Sequence, residues 1–184
     1  MRILGIDPGL TRCGIGVIDV DKQRKCSLVH VDVARTDSEQ ELSQRIASLA
    51  TEIESAITAH KPDGIALERV FAQANLRTVM GVAQISGVVL LLANRHGIPL
   101  KFFTPSEVKA AVTGSGRAEK QQVGTMVAKI LGLNAAPKPA DAADALAIAI
   151  TAAWKSQVHL PKQKTTKATA QWQQAIAAAA KRKR

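Results

Sequence analysis

Four carboxylates stand at the edges of apolar segments. Asp7 closes Ile3-Leu4-Gly5-Ile6, Glu68 closes Gly64-Ile65-Ala66-Leu67, and Asp141 and Asp144 open an Ala- and Ile-rich run. An ionised carboxylate beside a core is costly to desolvate, so several at such rims point to a counter-charge that they share. Oxygen donors of this kind suit the hard cations Mg²⁺ or Mn²⁺, and no His/Cys cluster competes for zinc. The spacing of Asp141 and Asp144 puts both on one face of a helix. Taken singly, each acid also fits a purely structural role: Asp7 as a turn residue in Asp-Pro-Gly, Glu68 as a solvated strand end, Asp141 or Asp144 as a helix cap.

The elements that must position these acids follow from hydrophobic period and from breakers. Residues 3–6 form a short apolar run stopped by Asp7-Pro8-Gly9. Residues 14–20 and 26–34 supply two more strand-like runs around the polar residues 21–25, which predicts an antiparallel meander of three strands. From Ser38 the period becomes helical, with Leu42, Ile46, Leu49, Ile53 and Ile57 three or four apart, and this helix should end near His60, before Pro62. Residues 64–68 then form a strand that follows a helix, so it should pair in parallel with an earlier strand. Residues 79–93 are apolar, contain Gly81 and Gly87, and are too long for one strand, so they are read as a helix. Its apolar residues occupy more than one face, which fits either a wholly buried core helix or a helix with a second face against a partner. A fifth strand is expected over residues 99–103. Thr104-Pro105-Ser106-Glu107 has capping-box spacing with Pro at the first helical position, and opens a short helix through Val112. After the turn Gly114-Ser115-Gly116-Arg117, residues 120–131 form an amphipathic helix. Pro137 and Pro139 break the chain before a last helix that runs from Asp141 to about Trp154.

A chain of 184 residues with 46% hydrophobic content suits one packed domain, placed at residues 1–156 with a basic tail at 157–184. Charge is uneven: residues 1–144 hold 17 Lys/Arg against 15 Asp/Glu, while residues 145–184 hold 8 Lys/Arg and no acid. Such a block suits a polyanion, because neutralised phosphates release condensed counterions, and it equally fits a solvated tail that is disordered or a loosely held helix. Cys13 and Cys26 lack metal-ligand spacing and are read as core or surface thiols. With neither a cleavage-site pattern nor a long uncharged apolar stretch, the expected location is cytoplasmic, with no membrane partner.

The order strand-strand-strand-helix-strand-helix-strand-helix, with acids at these positions, resembles the plan of the RNase H-like nucleases. That plan implies an α/β fold with a five-stranded mixed sheet, three antiparallel strands then parallel ones, flanked by helices. In it the first and fourth strands lie side by side, bringing Asp7 near Glu68, and the last helix crosses the sheet to present its acids. The resemblance narrows further. Gly5-Ile6-Asp7-Pro8-Gly9-Leu10, Glu68-Arg69-Val70-Phe71 and Ala140-Asp141-Ala142-Ala143-Asp144-Ala145-Leu146 look like the three signature segments of the RuvC Holliday-junction resolvases, in family order. The likeness extends over nearly all of residues 1–154. The first segment is weakly specific by itself; the third is much more so.

This resemblance implies a homodimeric, Mg²⁺-dependent endonuclease that resolves four-way junction DNA by paired symmetric nicks, in recombination and repair. Asp7, Glu68, Asp141 and Asp144 would hold two Mg²⁺ ions, with Mn²⁺ able to substitute, and hydrolysis would leave 5′-phosphate and 3′-hydroxyl ends. Lys109 and Lys120 match family positions that contact the junction near the scissile phosphate, with Lys120 counted among the catalytic residues. Phe71 matches an aromatic that stacks on an unpaired base at the crossover, and Arg77 of the same segment is assigned to DNA contact. Without the family, Lys109 and Lys120 read as solvated surface residues and Phe71 as a core anchor. Hand-over from RuvA and RuvB and a short T-rich cutting preference are further implications of the family alone. Arg69 after Glu68 and the Ala-rich basic tail depart from the expected pattern, which bears on contacts outside the acids. Three rivals remain. An actin-like or sugar-kinase ATPase opens with a similar Gly-Ile-Asp-Pro-Gly, but clasps nucleotide between two such domains. A catalytically dead junction-binding scaffold predicts the loss of an acid. A general RNase H, or another junction nuclease of the same superfamily, would be told apart by its cutting specificity on branched versus hybrid substrates.

Overall fold

Both neighbours of Gly5 in the first strand, Leu4 and Ile6, point into one apolar cluster while Ile3 points into another, so this strand must lie in the middle of a covered sheet. In the computed structural model, which describes residues 1–69 and 76–155, that strand is β1 (Arg2–Asp7). It is followed by β2 (Arg12–Val20), β3 (Cys26–Arg35), α1 (Leu42–His60), β4 (Gly64–Glu68) and α2 (Leu76–Arg95). Then come β5 (Leu100–Phe103), α3 (Pro105–Thr113), α4 (Lys120–Leu131) and α5 (Ala140–Lys155). The sheet order is β3-β2-β1-β4-β5. β1, β2 and β3 pair antiparallel, and β4 joins β1 and β5 in parallel, which is the mixed five-stranded plan expected of an RNase H-like fold. Helices α1 and α2 cover one face through Leu49, Ile53, Ile85 and Val89. The other face is covered by α3, α4 and α5 through Val108, Val123, Leu146 and Ile150.

The register fixes the first half of the acid cluster. Ile6 pairs with Leu67, so Asp7 and Glu68 each stand one residue further on, at the same end of adjacent parallel strands. The other half depends on how closely α5 approaches the sheet. A Cβ on Gly5 would overlap the carbonyl oxygen of Ala145, and one on Gly14 would overlap that of Asp141. On Gly16 it would come within 3.0 Å of the Leu146 backbone nitrogen. Three glycines on adjacent strands thus make a bed for the alanines of α5, among which Ala142, Ala143, Ala145 and Ala149 are buried. This seating, helix backbone against strand backbone, carries the first turn of α5 to the strand ends.

Two details differ from the sequence reading or lie beyond it. α1 begins at Leu42 rather than Ser38, because the Asp37 carboxylate accepts the Glu39 N–H at 3.1 Å and turns the chain before the helix starts. The domain boundary at 156, the basic tail, Phe71 and the side chain of Arg77 lie outside the described residues. Cys13 and Cys26 are both buried and free. The α3 capping box is complete: Thr104 Oγ1 accepts the Glu107 N–H at 3.2 Å, and Glu107 Oε2 accepts the Thr104 N–H at 2.8 Å. Among the described residues no helix is long and apolar enough to cross a membrane.

Candidate active site

Asp7, Glu68, Lys109, Lys120 and Asp144 line one cavity of about 260 Å³ at the carboxyl ends of β1 and β4, floored by Val108, Val123 and Ile148. Each comes from a different element, and each arrives for a stated reason: Asp7 and Glu68 by parallel register, Asp144 by the glycine-seated N-terminal half of α5. Lys109 lies on α3, whose start is fixed by the capping box, and Lys120 is the first residue of α4.

The electrostatics are those of carboxylates crowded on an apolar floor. Burial, then the charges of Glu68, Asp144 and Asp141, push the Asp7 carboxyl up to about 7, with Lys120 opposing. Burial followed by Asp144 raises Glu68 as well, while Lys120 and Lys109 pull it down. Lys120 Nζ donates to Asp144 Oδ2 at 2.9 Å, and that bond raises the ammonium pKa against its own desolvation. The cavity thus sets three carboxyl groups against two ammonium groups, with the proton affinity of Asp7 and Glu68 raised by the crowding.

Asp141 acts on this group through its charge at Asp7 and Lys120, while its carboxylate is paired outside the cavity. Its Oδ2 is 3.2 Å from Arg12 Nε, and it faces a neighbouring groove along the β1–β2 turn rather than the cavity of Asp144. The two acids of α5 line adjoining hollows, and both act on Asp7. Among the described residues no three His, Cys, Asp or Glu side chains are arranged as a finished metal site, since Asp144 is turned to Lys120 and Asp141 to Arg12. The donor chemistry nevertheless fits a hard divalent cation. Every candidate ligand is a carboxylate oxygen, and like-charge repulsion at Asp7 is incompletely balanced by the nearby lysine.

Lys109 and Lys120 are thus both placed at the acids, as two cations a polyanionic substrate would meet. Arg69, the departure noted after Glu68, turns away: its guanidinium lies 5.9 Å over the Phe102 ring. Arg12 was not singled out from sequence, because a lone exposed cation at a strand start gives no signal. Only the approach of α5 to β2 shows that it pairs with Asp141.

Comparison with known proteins bears on this constellation. The family model described as "Crossover junction endodeoxyribonuclease RuvC" matches residues 3–152. The protein of that name from Saccharopolyspora erythraea is 59% identical over 156 residues, covering 85% of this chain and 78% of that protein. The fold is similar to Thermus thermophilus RuvC, with a TM-score of 0.78 at 35% identity over 84% of this chain and 94% of that one. It is equally similar to T. thermophilus RuvC in complex with Holliday junction substrate, with a TM-score of 0.79 at 36% identity, covering 83% and 93%.

Proposed function

The chain belongs to the RuvC family of crossover junction endodeoxyribonucleases, and from that premise we propose that it resolves Holliday junctions by hydrolysing phosphodiesters at the Asp7–Glu68–Asp144 cavity. The observation that carries this reading is the convergence of three carboxylates from β1, β4 and α5 with two lysines around one apolar-floored cavity. Asp7, Glu68 and Asp144, with Asp141 from the adjoining groove, would hold two Mg²⁺ ions, Mn²⁺ substituting. The chemistry such ions would supply there is activation of the attacking water and neutralisation of charge on the leaving 3′ oxygen. The net reaction adds water across the P–O3′ bond and leaves 5′-phosphate and 3′-hydroxyl ends.

The chain's own residues do the rest. Lys120 and Lys109 put positive charge where the phosphoryl oxygens gather negative charge, and they offset the repulsion between DNA and the carboxylates. Lys120, held by Asp144 in the free protein, is able to exchange that partner for a phosphate oxygen. Val108, Val123 and Ile148 keep the floor dry, which strengthens each of these interactions. Phe71, stacking on an unpaired base, and Arg77, contacting DNA, complete the proposed interface on the grounds of family resemblance.

A homodimer is part of the proposal, because paired cuts on a two-fold symmetric junction need two sites related by a two-fold axis. α2 supports it: Met80, Leu90 and Leu91 on its outer face are 56%, 44% and 51% exposed, and around Gly87 there is open space. Large apolar side chains lined up in solvent mark an association surface. Hand-over from RuvA and RuvB, a role in recombination and repair, a cytoplasmic location, and the division into a nuclease domain (1–156) and a basic tail (157–184) belong to the same reading.

The test pairs a synthetic four-way junction with a linear duplex of the same sequence, in Mg²⁺ and in EDTA, with wild type and Asp7→Asn. The expected result is paired nicks on the junction alone, lost in EDTA and in the variant while binding persists. Tight binding without cleavage under any condition favours the scaffold reading, and equal cutting of an RNA–DNA hybrid favours a general RNase H.

A further inference from the structure

We propose that the groove next to the carboxylate cavity binds a backbone phosphate of the DNA strand, with Arg45 as its principal cation. This inference rests on the nuclease reading above and extends it to a second, non-scissile phosphate.

The groove measures about 450 Å³ and runs between the β1–β2 turn, α1, α2 and the first turn of α5. Its wall carries Arg45, Arg12 and Thr11, and at its inner end Asp141. Arg45 is half-buried and held in a fixed pose: Nε donates to Thr36 Oγ1 and Nη2 to Thr11 Oγ1, both at 2.9 Å. The Thr36 hydroxyl is itself spent on the Leu10 carbonyl at 2.6 Å, so it is oriented to receive the guanidinium. Both acceptors are neutral. Among the described residues no carboxylate lies within ion-pair distance of Arg45.

Two of the five donors of this half-buried, fixed guanidinium are used, which leaves three for a further acceptor in the groove. Its planar fork matches phosphate oxygens. Arg12 adds a second cation on the same wall, whose charge is shared with Asp141 at 3.2 Å. The groove also has the right address. Asp141 faces it while Asp144, one helical turn on, faces the catalytic cavity, so the first turn of α5 is the ridge between the two. A strand with its scissile phosphate at Asp7 and Glu68 passes over that ridge into the groove. Gly81 lets α2 close onto the β1–β2 turn that forms the groove: a Cβ there would come 3.1 Å from Leu10 Cβ.

The experiment is equilibrium binding of the full chain to a four-way junction in EDTA, across a range of salt concentrations, with no cleavage to complicate the reading. Each phosphate neutralised contributes about 0.9 to the slope of log K against log salt. Arg45→Gln should reduce the slope by about that amount per protomer bound, and Arg45→Lys should retain it. Thr11→Asp gives an independent arm: it sets a carboxylate on Arg45, neutralises the groove without removing the arginine, and should reproduce the Arg45→Gln slope, while Thr11→Ser leaves it unchanged. If Arg45→Gln fails to fold, as judged by thermal melting, Thr11→Asp decides. A wild-type slope in both Arg45→Gln and Thr11→Asp overturns the inference and leaves the nuclease reading standing. A wild-type chain that binds no junction overturns both.

Discussion

At the scale of single residues, Asp7 is where the cost of the site concentrates. Its carboxyl is pushed up to about 7 by burial and by Glu68, Asp144 and Asp141, so the folded, metal-free chain holds that proton more tightly than the unfolded chain does. The penalty for ionising it is absent at low pH and grows as pH rises from about 4 through about 7. Asp7→Asn should therefore stabilise the metal-free chain by roughly 0.5–2 kcal/mol at pH 8 and by less at pH 5, while abolishing cleavage. Thermal melting in EDTA at the two pH values checks this, and an equal shift at both would count against charge repulsion as the cause. The same proton competes with a cation. Mg²⁺ affinity measured by calorimetry should weaken about tenfold per unit as pH falls below the Asp7 value, if one proton is displaced per ion. Lys120→Ala leaves Asp144 without its 2.9 Å partner and should raise the Asp7 proton affinity further.

At the scale of elements, the site exists because α5 lies on glycine. Gly5→Ala drives a methyl group into the Ala145 carbonyl, and should destabilise the chain by about 1–3 kcal/mol and lift Asp144 from Asp7, seen as a denaturant midpoint shift together with a cleavage loss. The α3 capping box positions Lys109, and Thr104→Ala should cost about 1 kcal/mol in the same measurement. Its partner Glu107 is held down to about 2, first by the Thr104 N–H and then by Lys155 and the Thr104 hydroxyl. The folded value lies below the unfolded one, so its contribution is present above about pH 4.5 and is lost as pH falls towards 2. Glu107→Gln should then destabilise modestly at pH 7, since this carboxylate is partly exposed and screened by solvent, and have little effect at pH 2.

These elements were nearly all readable from sequence, because strand period, the Thr-Pro-Ser-Glu box and the Pro breaks are local signals. Parallel pairing of residues 64–68 was readable from the helix before them, but the meeting of Asp7 with Glu68 came only through a fold resemblance, since which strand is the partner leaves no local trace. Two things were not readable. Asp37 ended the run-in to α1 by a side-chain turn that helical period does not register. Asp141 turned to Arg12 because the β1–β2 turn passes α5 there, a tertiary approach that residue spacing along one helix does not encode.

At the scale of the whole molecule, two features await each other: a cavity suited to one cut and an α2 face suited to a second copy. Leu91→Glu, on the exposed face shared with Met80 and Gly87, should convert a dimer to monomers by sedimentation while costing the fold no more than about 0.5 kcal/mol. The monomer should cut a junction singly rather than in pairs, and an unchanged sedimentation coefficient would place the two-fold axis elsewhere. The claim on which everything else depends is that the carboxylate cavity is the cation site at which DNA is cut. Its most direct test is anomalous diffraction at the manganese edge from the chain bound to a four-way junction with non-cleavable linkages. The expected result is Mn²⁺ in contact with Asp7, Glu68 and Asp144, with Lys120 moved off Asp144 onto a phosphate oxygen. Manganese bound against DNA at some other place, with the cavity still closed by the Lys120–Asp144 pair, would contradict it.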